Sequence, residues 1–230
     1  MIDFDYYKKV PKKWGVKYSK AKVQKIVTSY KEKLEEALKE LNELRETRSF
    51  SPYMRDRRTP EEYIRDIIEG WLVEDLILQV WLTERLKELF PKKEYPNFKI
   101  VSTGADANRK IRFTAKSIRQ NVTTEADFEL EIQGKTKFIE LQFSRKERGS
   151  YDMKEGKVKR AAKNNSLFLW YIQPSDTSLF VDPNWLMNNK EPKVNFLWGG
   201  KMTYEAKIEE LDPNSMNNSF DKDIAKLLTK

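Results

Sequence analysis

Hydrophobic side chains recur near the N-terminus with the spacing of a long helix. Between Tyr18 and Thr47, a segment without Gly or Pro, they return at alternating intervals of four and three residues, at Val23, Val27, Tyr30, Leu34, Ala37, Leu41 and Leu44. This heptad pattern predicts a helix with one apolar stripe. The stripe can pack on the rest of the protein or on a second copy of the chain, and the pattern leaves both open.

A second helix is predicted from Thr59 to about Leu89. Thr59 followed by Pro60 and Glu62 is typical of a capped helix start. At about 100° per residue, Glu74 falls inside an apolar stripe formed by Ile67, Trp71, Leu78 and Trp81. Burial of an unpaired charge is costly, so Glu74 is expected either to form a structural ion pair or to reach a functional site.

From Asn97 the pattern changes to the alternation of strands. The predicted elements are strands at 98–101 and 111–114, a hairpin within 124–143, a helix at 152–164, a continuous apolar strand at 166–172, strands at 178–181 and 194–198, and a helix from 221. A helix leading into a strand that is apolar on both faces indicates a crossover with parallel pairing.

These elements predict an α/β fold with a mixed central β-sheet flanked by helices and a long N-terminal helical region. We expect residues 1–58 to form that helical region, packed on the core or at a dimer interface, and residues 59–230 to form the core. One compact domain overall is the economical interpretation.

Polar residues alternate with apolar ones along both strands of the hairpin. A turn at Gly134-Lys135, or a four-residue loop, pairs residues whose numbers sum to 269. Asp127 is then expected opposite Gln142 and Glu129 opposite Glu140, all on one face. A three-residue loop would separate the faces. The acids are therefore either the solvent face of an amphipathic hairpin or a cation site.

Composition limits the chemistry of such a site. The 230 residues contain no His and no Cys, which excludes structural zinc sites, disulfides, thiol nucleophiles and a Ser-His-Asp triad. Carboxylate and amide oxygens select Mg²⁺ or a similar hard ion, and Mn²⁺ can substitute.

Membrane and secretion signals are also lacking in the sequence. No apolar run is long enough to span a bilayer, and the N-terminal segment has no secretory signal. We therefore expect an intracellular, reducing, cytoplasmic location without a membrane partner. The abundance of Lys and Glu also fits a thermophilic source.

Positive charge lies on both sides of the acidic hairpin. Residues 99–120 carry six basic residues and one acid, and residues 144–163 carry eight and three, so each segment is +5. Residues 125–131 carry four acids and no base, within a chain of net charge +8. A metal site framed by cations suits a polyanion. The residues predicted to contact DNA are Arg109, Lys110, Arg112, Arg119, Arg145, Lys146, Arg148, Lys154, Lys157 and Lys159.

The order of these features resembles the PD-(D/E)XK nuclease superfamily, and type II restriction endonucleases are its most similar members. The resemblance is carried by Asp127, then twelve residues, then Glu140-Leu-Gln142, a basic helix and an apolar strand. It covers residues 59–182. It implies that Asp127 and Glu140 bind the metal and that Glu74, with Gln142, completes the catalytic set.

The resemblance implies a Mg²⁺-dependent DNA endonuclease that acts on double-stranded DNA as a homodimer. The family's usual Lys, two positions after the Glu, is Gln142 here, and Lys146, Lys154 or Lys157 could supply the cation instead. Two alternatives stay open: a junction-resolving or repair nuclease of the same superfamily, and a nucleic-acid-binding protein without catalysis.

Overall fold

The computed structural model describes residues 1–47, 58–90, 98–104, 107–111, 126–146, 149–173, 175, 177–196, 199–214 and 221–224. The chain forms two compact units. The first contains Met1–Tyr95 and Ala105–Thr123, and the second contains Pro96–Gly104 and Thr124–Lys230. The chain passes from one unit to the other after residues 95, 104 and 123, whereas the sequence predicted a boundary between residues 58 and 59.

The first unit is helical. Its elements are α1 (Phe4–Tyr7), α2 (Val10–Lys13), α3 (Lys20–Glu46), α4 (Pro60–Leu76), a π-helical segment (Ile77–Leu82) and α5 (Thr83–Leu89). The heptad prediction is confirmed by α3, which begins after Ser19, whose hydroxyl accepts from the backbone NH of Lys22. Its stripe is buried at Val23, Ile26, Val27, Tyr30, Ala37 and Leu41.

The predicted start of the second helix is also confirmed. The Thr59 hydroxyl accepts from the backbone NH of Glu62, and the Glu62 carboxylate accepts from the backbone NH of Thr59 at 2.7 Å. Pro60 occupies the first turn, where its missing NH is not needed. The helix continues to Leu89 through the π-helical segment.

The second unit contains a mixed six-stranded sheet in the order β1-β2-β3-β5-β6-β9. Its strands are β1 (Phe98–Ser102), β2 (Phe128–Ile132), β3 (Lys135–Ser144), β5 (Leu167–Ile172), β6 (Thr177–Val181) and β9 (Asp212–Asn214). β3 and β5 are parallel, and every other pair is antiparallel. The predicted crossover is therefore confirmed, and so is the α/β class with a mixed sheet.

A separate three-stranded sheet has the order β4-β8-β7. It consists of β4 (Ser150–Lys154), β7 (Lys193–Asn195) and β8 (Lys201–Lys207), and the same unit has the helices α6 (Glu155–Lys163) and α7 (Pro183–Asn189). The sequence did not predict β4 or β8. The basic helix predicted from residue 152 begins instead at Glu155, because the preceding residues pair with β8. Residues 112–114 and 197–198 lie outside the described residues.

The predicted hairpin exists, but its predicted register is wrong. The turn is Gln133-Gly134, with φ of 52° and 76°, as a tight two-residue turn requires. Ile132 pairs with Lys135 and Glu129 with Phe138, so paired numbers sum to 267. The slip of two residues keeps every side chain on its predicted face but changes its partner.

Both faces of the central sheet are covered where β5 lies. All six residues of β5 are buried. One face, with Phe168, Trp170 and Ile172, packs on α6 through Val158 and Ala161. Among the described residues, no helix combines the length and the apolar character needed to cross a membrane.

Candidate active site

Glu140 lies in the middle of β3, between β2 and β5 of the central sheet. It pairs in register with Phe168, so its side chain shares the face that packs on α6. The Glu140 side chain is 1% exposed. The sequence has therefore placed a carboxylate inside the core of the second unit, where it needs a cation.

Asp127 stands directly before β2, next to Glu140. Continuing the hairpin register by one step places Asp127 opposite Glu140, not opposite Gln142 as the sequence predicted. The backbone fixes it on both sides. The backbone NH of Leu141 donates to Oδ2 of Asp127 at 2.8 Å, and the Asp127 carbonyl accepts from the backbone NH of Thr103 at 3.0 Å.

Lys157 of α6 joins the two carboxylates. Its Nζ lies 2.9 Å from Oε2 of Glu140 and 3.6 Å from Oδ2 of Asp127. Arg160, one helical turn further along α6, has a guanidinium nitrogen 3.9 Å from Oε1 of Glu140. Residues three apart lie on one face of a helix, so both cations are aimed at the same strand.

Burial is the main influence on the Glu140 carboxyl. It raises the pKa of Glu140, and the neighbouring charge of Asp127 raises it further, while Lys157 and Arg160 oppose the shift. Lys157 lies at Oε2, whereas Oε1 of Glu140 accepts no hydrogen bond from the described residues and has Arg160 3.9 Å away. Glu140 thus retains acceptor capacity for another ligand.

The two carboxylates fit a hard divalent cation. The carboxylate oxygens of Glu140 and of the partly buried Asp127 side chain are the donors that Mg²⁺ and Mn²⁺ prefer. Among the described residues no group of three acidic side chains is close enough to hold a metal. Backbone carbonyls, water or substrate oxygens would complete the coordination, as is usual for Mg²⁺.

The predicted convergence of three carboxylates and Gln142 is therefore wrong in part. Asp127 and Glu140 come together, but Glu129 lies opposite Phe138, two residues further along each strand from the site. Gln142 is half-buried on the same face as Glu140 and pairs in register with Trp170. The two-residue slip in register explains the difference, because it moves Glu129 away from Glu140.

Glu74 lies in the first unit, whereas Asp127 and Glu140 lie in the second. Arg109 donates to Oε2 of Glu74 at 2.6 Å and to Oδ1 of Asp75 at 2.8 Å. Burial opposes the charged form of Arg109, but the two carboxylates outweigh it and raise its pKa. Glu74 thus has the ion pair that its position in an apolar stripe required.

The residues predicted to contact DNA fall into three groups. Those with exposed side chains are Lys110, Arg145, Lys146 and Lys159, and those with partly buried side chains are Arg109, Lys154 and Lys157. Arg112, Arg119 and Arg148 lie outside the described residues. Several of these cations already have partners in the protein: Arg109 binds Glu74, Lys159 binds Glu155 at 2.6 Å, and Arg145 lies over the ring of Phe143.

Sequence reasoning missed Arg160 as part of the site. The signal was available, because Lys157 and Arg160 are three residues apart on a predicted helix. What the pattern could not supply was the packing of that helix on the strand that carries Glu140.

Comparisons with known proteins add little. No family model matches the chain, and no curated protein matches it significantly in sequence. Among solved structures, one match is Archaeoglobus fulgidus Hjc, a Holliday junction resolvase from an archaeal hyperthermophile. The two chains are 8% identical, the match covers 65% of this chain and 96% of the resolvase, and the TM-score is 0.34. A likeness at that level decides neither the fold nor the activity of this chain.

Proposed function

We propose that the chain is a divalent-metal-dependent endonuclease that hydrolyses phosphodiester bonds in DNA, with its active site in the second unit. The observation that carries this proposal is the arrangement of Asp127, Glu140 and Lys157: two carboxylates that meet inside a sheet and share one ammonium. A buried carboxylate with a raised pKa, beside a second acid and a shared cation, is typical of functional sites.

Asp127 and Glu140 would hold the metal through their carboxylate oxygens. When bound, Mg²⁺ or Mn²⁺ activates water and offsets negative charge on the scissile phosphate. The backbone NH of Leu141 keeps the Asp127 carboxylate in place, so the oxygen donors are positioned before the substrate arrives. Gln142, two residues after Glu140, is proposed to orient the attacking water.

Lys157 supplies the cation that the resemblance leads one to expect two positions after Glu140. Gln142 stands at that position, and it cannot carry charge. Of the three lysines that the sequence offered as substitutes, Lys157 is the one whose Nζ lies within ion-pair distance of Glu140. As an ammonium it stabilises the negative charge that develops on the phosphate during attack. Arg160 adds a second cation, 3.9 Å from Oε1 of Glu140.

The substrate class follows from the distribution of charge. The segment at 144–163, to which Lys157 and Arg160 belong, carries a net charge of +5, which favours the backbone of a nucleic acid. Cleavage of linear duplex in the manner of a restriction endonuclease is one candidate. Cleavage of branched DNA is the other, and a four-way junction, the substrate class named for the Archaeoglobus resolvase, belongs in the assay for that reason.

Three further parts of the proposal come from the sequence. Glu74 would act from its helix as an additional catalytic carboxylate, the basic residues around the site would contact DNA, and two copies of the chain would act together. Each of these can fail without affecting the roles of Asp127 and Glu140.

The experiment is cleavage of labelled linear duplex, supercoiled plasmid and a four-way junction by wild-type protein and Asp127→Asn. We expect cleavage with Mg²⁺ or Mn²⁺, none with EDTA, and a loss of at least about a hundredfold for Asp127→Asn. Preference for the junction over its linear arms identifies a resolving nuclease, and the reverse preference identifies a duplex endonuclease. Equal cleavage by wild type and Asp127→Asn would show that the site assignment is wrong.

A further inference from the structure

The small sheet β4-β8-β7 has two different faces. Tyr151, Met153, Tyr204 and Ala206 belong to the buried core of the second unit. Because side chains alternate along a strand, the residues between them face the other way. On that second face Lys154, Thr203 and Lys193 stand in one row across the three strands.

A third lysine joins the row. Lys201 lies two residues before Thr203 on β8, so it shares the face of Lys154 and Lys193. Among the described residues neither Lys193 nor Lys201 forms an ion pair, and both are exposed. Lys207, at the other end of the same strand and on the same face, instead lies 3.7 Å from Glu209. The positive charge is therefore concentrated at the end of β8 where the hairpin turns.

Lys154 connects this row to the candidate active site. It is the last residue of β4 and directly precedes α6, three residues before Lys157. Burial, followed by the charges of Lys201 and Lys157, lowers the pKa of Lys154 to about 8. Like charges crowded in this way are relieved when an anion binds between them.

The tip of the β7-β8 hairpin carries an exposed aromatic ring. Asn195 pairs with Lys201, and the backbone NH of Gly200 donates to the Asn195 carbonyl at 3.0 Å, which closes the tip. Gly199 and Gly200 have φ of 68° and 77°, a conformation that glycine adopts without strain. Phe196 stands at this tip with 84% of its surface exposed.

We propose that the β7-β8 hairpin is a DNA-contact element, in which Lys193 and Lys201 bind backbone phosphates and Phe196 packs against a base at a deformed or unstacked step. This inference rests on the proposed function in taking DNA as the ligand. Lysines without internal partners neutralise phosphates at little cost, and an exposed aromatic side chain at the tip of the same hairpin provides the apolar surface on which bases stack. A second copy of the chain is a less suitable occupant, because the flanking lysines of both copies would repel each other.

The charge part of the proposal is tested by DNA binding as a function of salt, in EDTA so that no cleavage occurs. Fluorescence anisotropy compares wild type with the double variant Lys193→Ala/Lys201→Ala, and Lys207→Ala serves as the matched control on the same strand and face. Removal of two phosphate contacts should lower the slope of log affinity against log salt by about 1.8 and raise Kd on the order of tenfold at 0.15 M salt. Lys207→Ala should bind like wild type.

The aromatic part is tested with Phe196→Ala, Phe196→Trp and Val194→Ala. Val194, two residues before Phe196 on β7, is 50% exposed, and Val194→Ala controls for the loss of apolar surface. Phe196→Ala should weaken DNA binding about fivefold or more without changing the salt slope. Phe196→Trp keeps an aromatic ring and should bind DNA about as tightly as wild type. Both side chains are exposed, so the fold should be unaffected, which circular dichroism verifies.

Several outcomes would overturn this inference. One is that the hairpin variants keep the Kd for DNA and the salt slope of wild type. A second is that Lys207→Ala loses as much DNA affinity as the double lysine variant, and a third is that wild type binds no DNA. A change in sedimentation for Phe196→Ala with unchanged DNA binding would instead identify an interface between copies. The inference and the proposed activity fail separately. If the hairpin variants bind DNA more weakly but wild type cleaves nothing with Mg²⁺, only the proposed nuclease activity is contradicted. If wild type cleaves DNA and the hairpin variants bind it as wild type does, only the proposed role of the hairpin is contradicted.

Discussion

Nζ of Lys157 lies 2.9 Å from Oε2 of Glu140 and 3.6 Å from Oδ2 of Asp127. The Glu140 side chain is 1% exposed, whereas that of Lys157 is 28% exposed. The ammonium therefore balances a charge that water cannot reach while keeping some contact with solvent itself. A substrate phosphate can approach Lys157 without displacing the core.

Replacement of Lys157 by Met should lower both stability and activity. Glu140 would be left buried with only the more distant Arg160, and we expect the free energy of unfolding to fall by about 2 kcal/mol, less than for a fully buried pair because Lys157 is partly exposed. The rate of DNA cleavage should fall by about a hundredfold or more. Urea unfolding and single-turnover cleavage measure the two effects.

Two variants serve as controls for this prediction. Lys157→Arg keeps the charge and should recover most of the stability but less of the rate, because the guanidinium has a different shape. Lys163→Met removes an exposed lysine in the last turn of the same helix, outside the set predicted to contact DNA, and it should change neither. Undiminished stability and activity in Lys157→Met would contradict the role of Lys157.

Glu140→Gln should stabilise the protein at neutral pH while abolishing activity. Burial raises the pKa of Glu140, so the folded state holds this proton more tightly than the unfolded state does. Its contribution to stability is present below the ordinary pKa of Glu and is lost as pH rises through the raised pKa. The advantage of Glu140→Gln over wild type should therefore grow from pH 4 to pH 7. Urea unfolding across that range would contradict the account if the difference stayed constant or reversed.

Metal binding should stabilise the folded protein independently of any cleavage. Mg²⁺ or Mn²⁺ at ten times its Kd should add about 1.4 kcal/mol to the free energy of unfolding. Asp127→Asn should lose this increment, whereas Glu129→Gln should keep it because Glu129 lies opposite Phe138 and away from the site. Thermal unfolding with and without metal measures the shift, and an equal shift in Asp127→Asn would place the metal elsewhere.

The ion network around Arg109 in the first unit can be tested by its effect on stability. Arg109 binds Glu74 and Asp75, and Asp75 accepts from the Tyr30 hydroxyl at 2.6 Å. Arg109→Met removes the cation that faces two largely buried carboxylates and should cost roughly 3 kcal/mol. Tyr30→Phe removes one hydrogen bond and should cost about 1 kcal/mol. Urea unfolding ranks the two variants, and a smaller loss for Arg109→Met than for Tyr30→Phe would contradict this network.

Glu74→Gln separates a structural role from a catalytic one. If Glu74 takes part in cleavage, as the resemblance implies, the variant should lose about tenfold or more in cleavage rate while its unfolding changes little. Reduced stability with an unchanged rate would assign Glu74 to the ion network alone. The same single-turnover assay and urea titration serve both readouts.

The local pattern was sufficient for many of the elements, although not for β4 and β8, and for the face on which each acid of the hairpin lies. The heptad spacing predicted α3, the sequence after Thr59 predicted a capped helix, and the continuous apolar run predicted β5 and its parallel pairing. Alternation predicted that Asp127 and Glu140 share a face, and this survived the slip in register because a two-residue shift preserves the face.

Partners distant in the chain could not be predicted from the pattern. The turn at Gln133-Gly134 moved the pairing because Gln133 adopts a positive φ that Gly usually provides. Lys157 was one of three candidate lysines, and only the packing of α6 on β3 selects it. Arg109 and Glu74 are 35 residues apart, and no periodicity connects them.

The central claim is tested most directly by the single-turnover rate of DNA cleavage with Mg²⁺ for wild type, Glu140→Gln and Glu129→Gln. Both variants neutralise one Glu of the same hairpin face, but only Glu140 lies beside Asp127 and Lys157. The predicted result is a rate at least about a hundredfold lower for Glu140→Gln and within about twofold of wild type for Glu129→Gln. Equal rates for wild type and Glu140→Gln, with both proteins folded, would contradict the claim that Glu140 holds the catalytic metal.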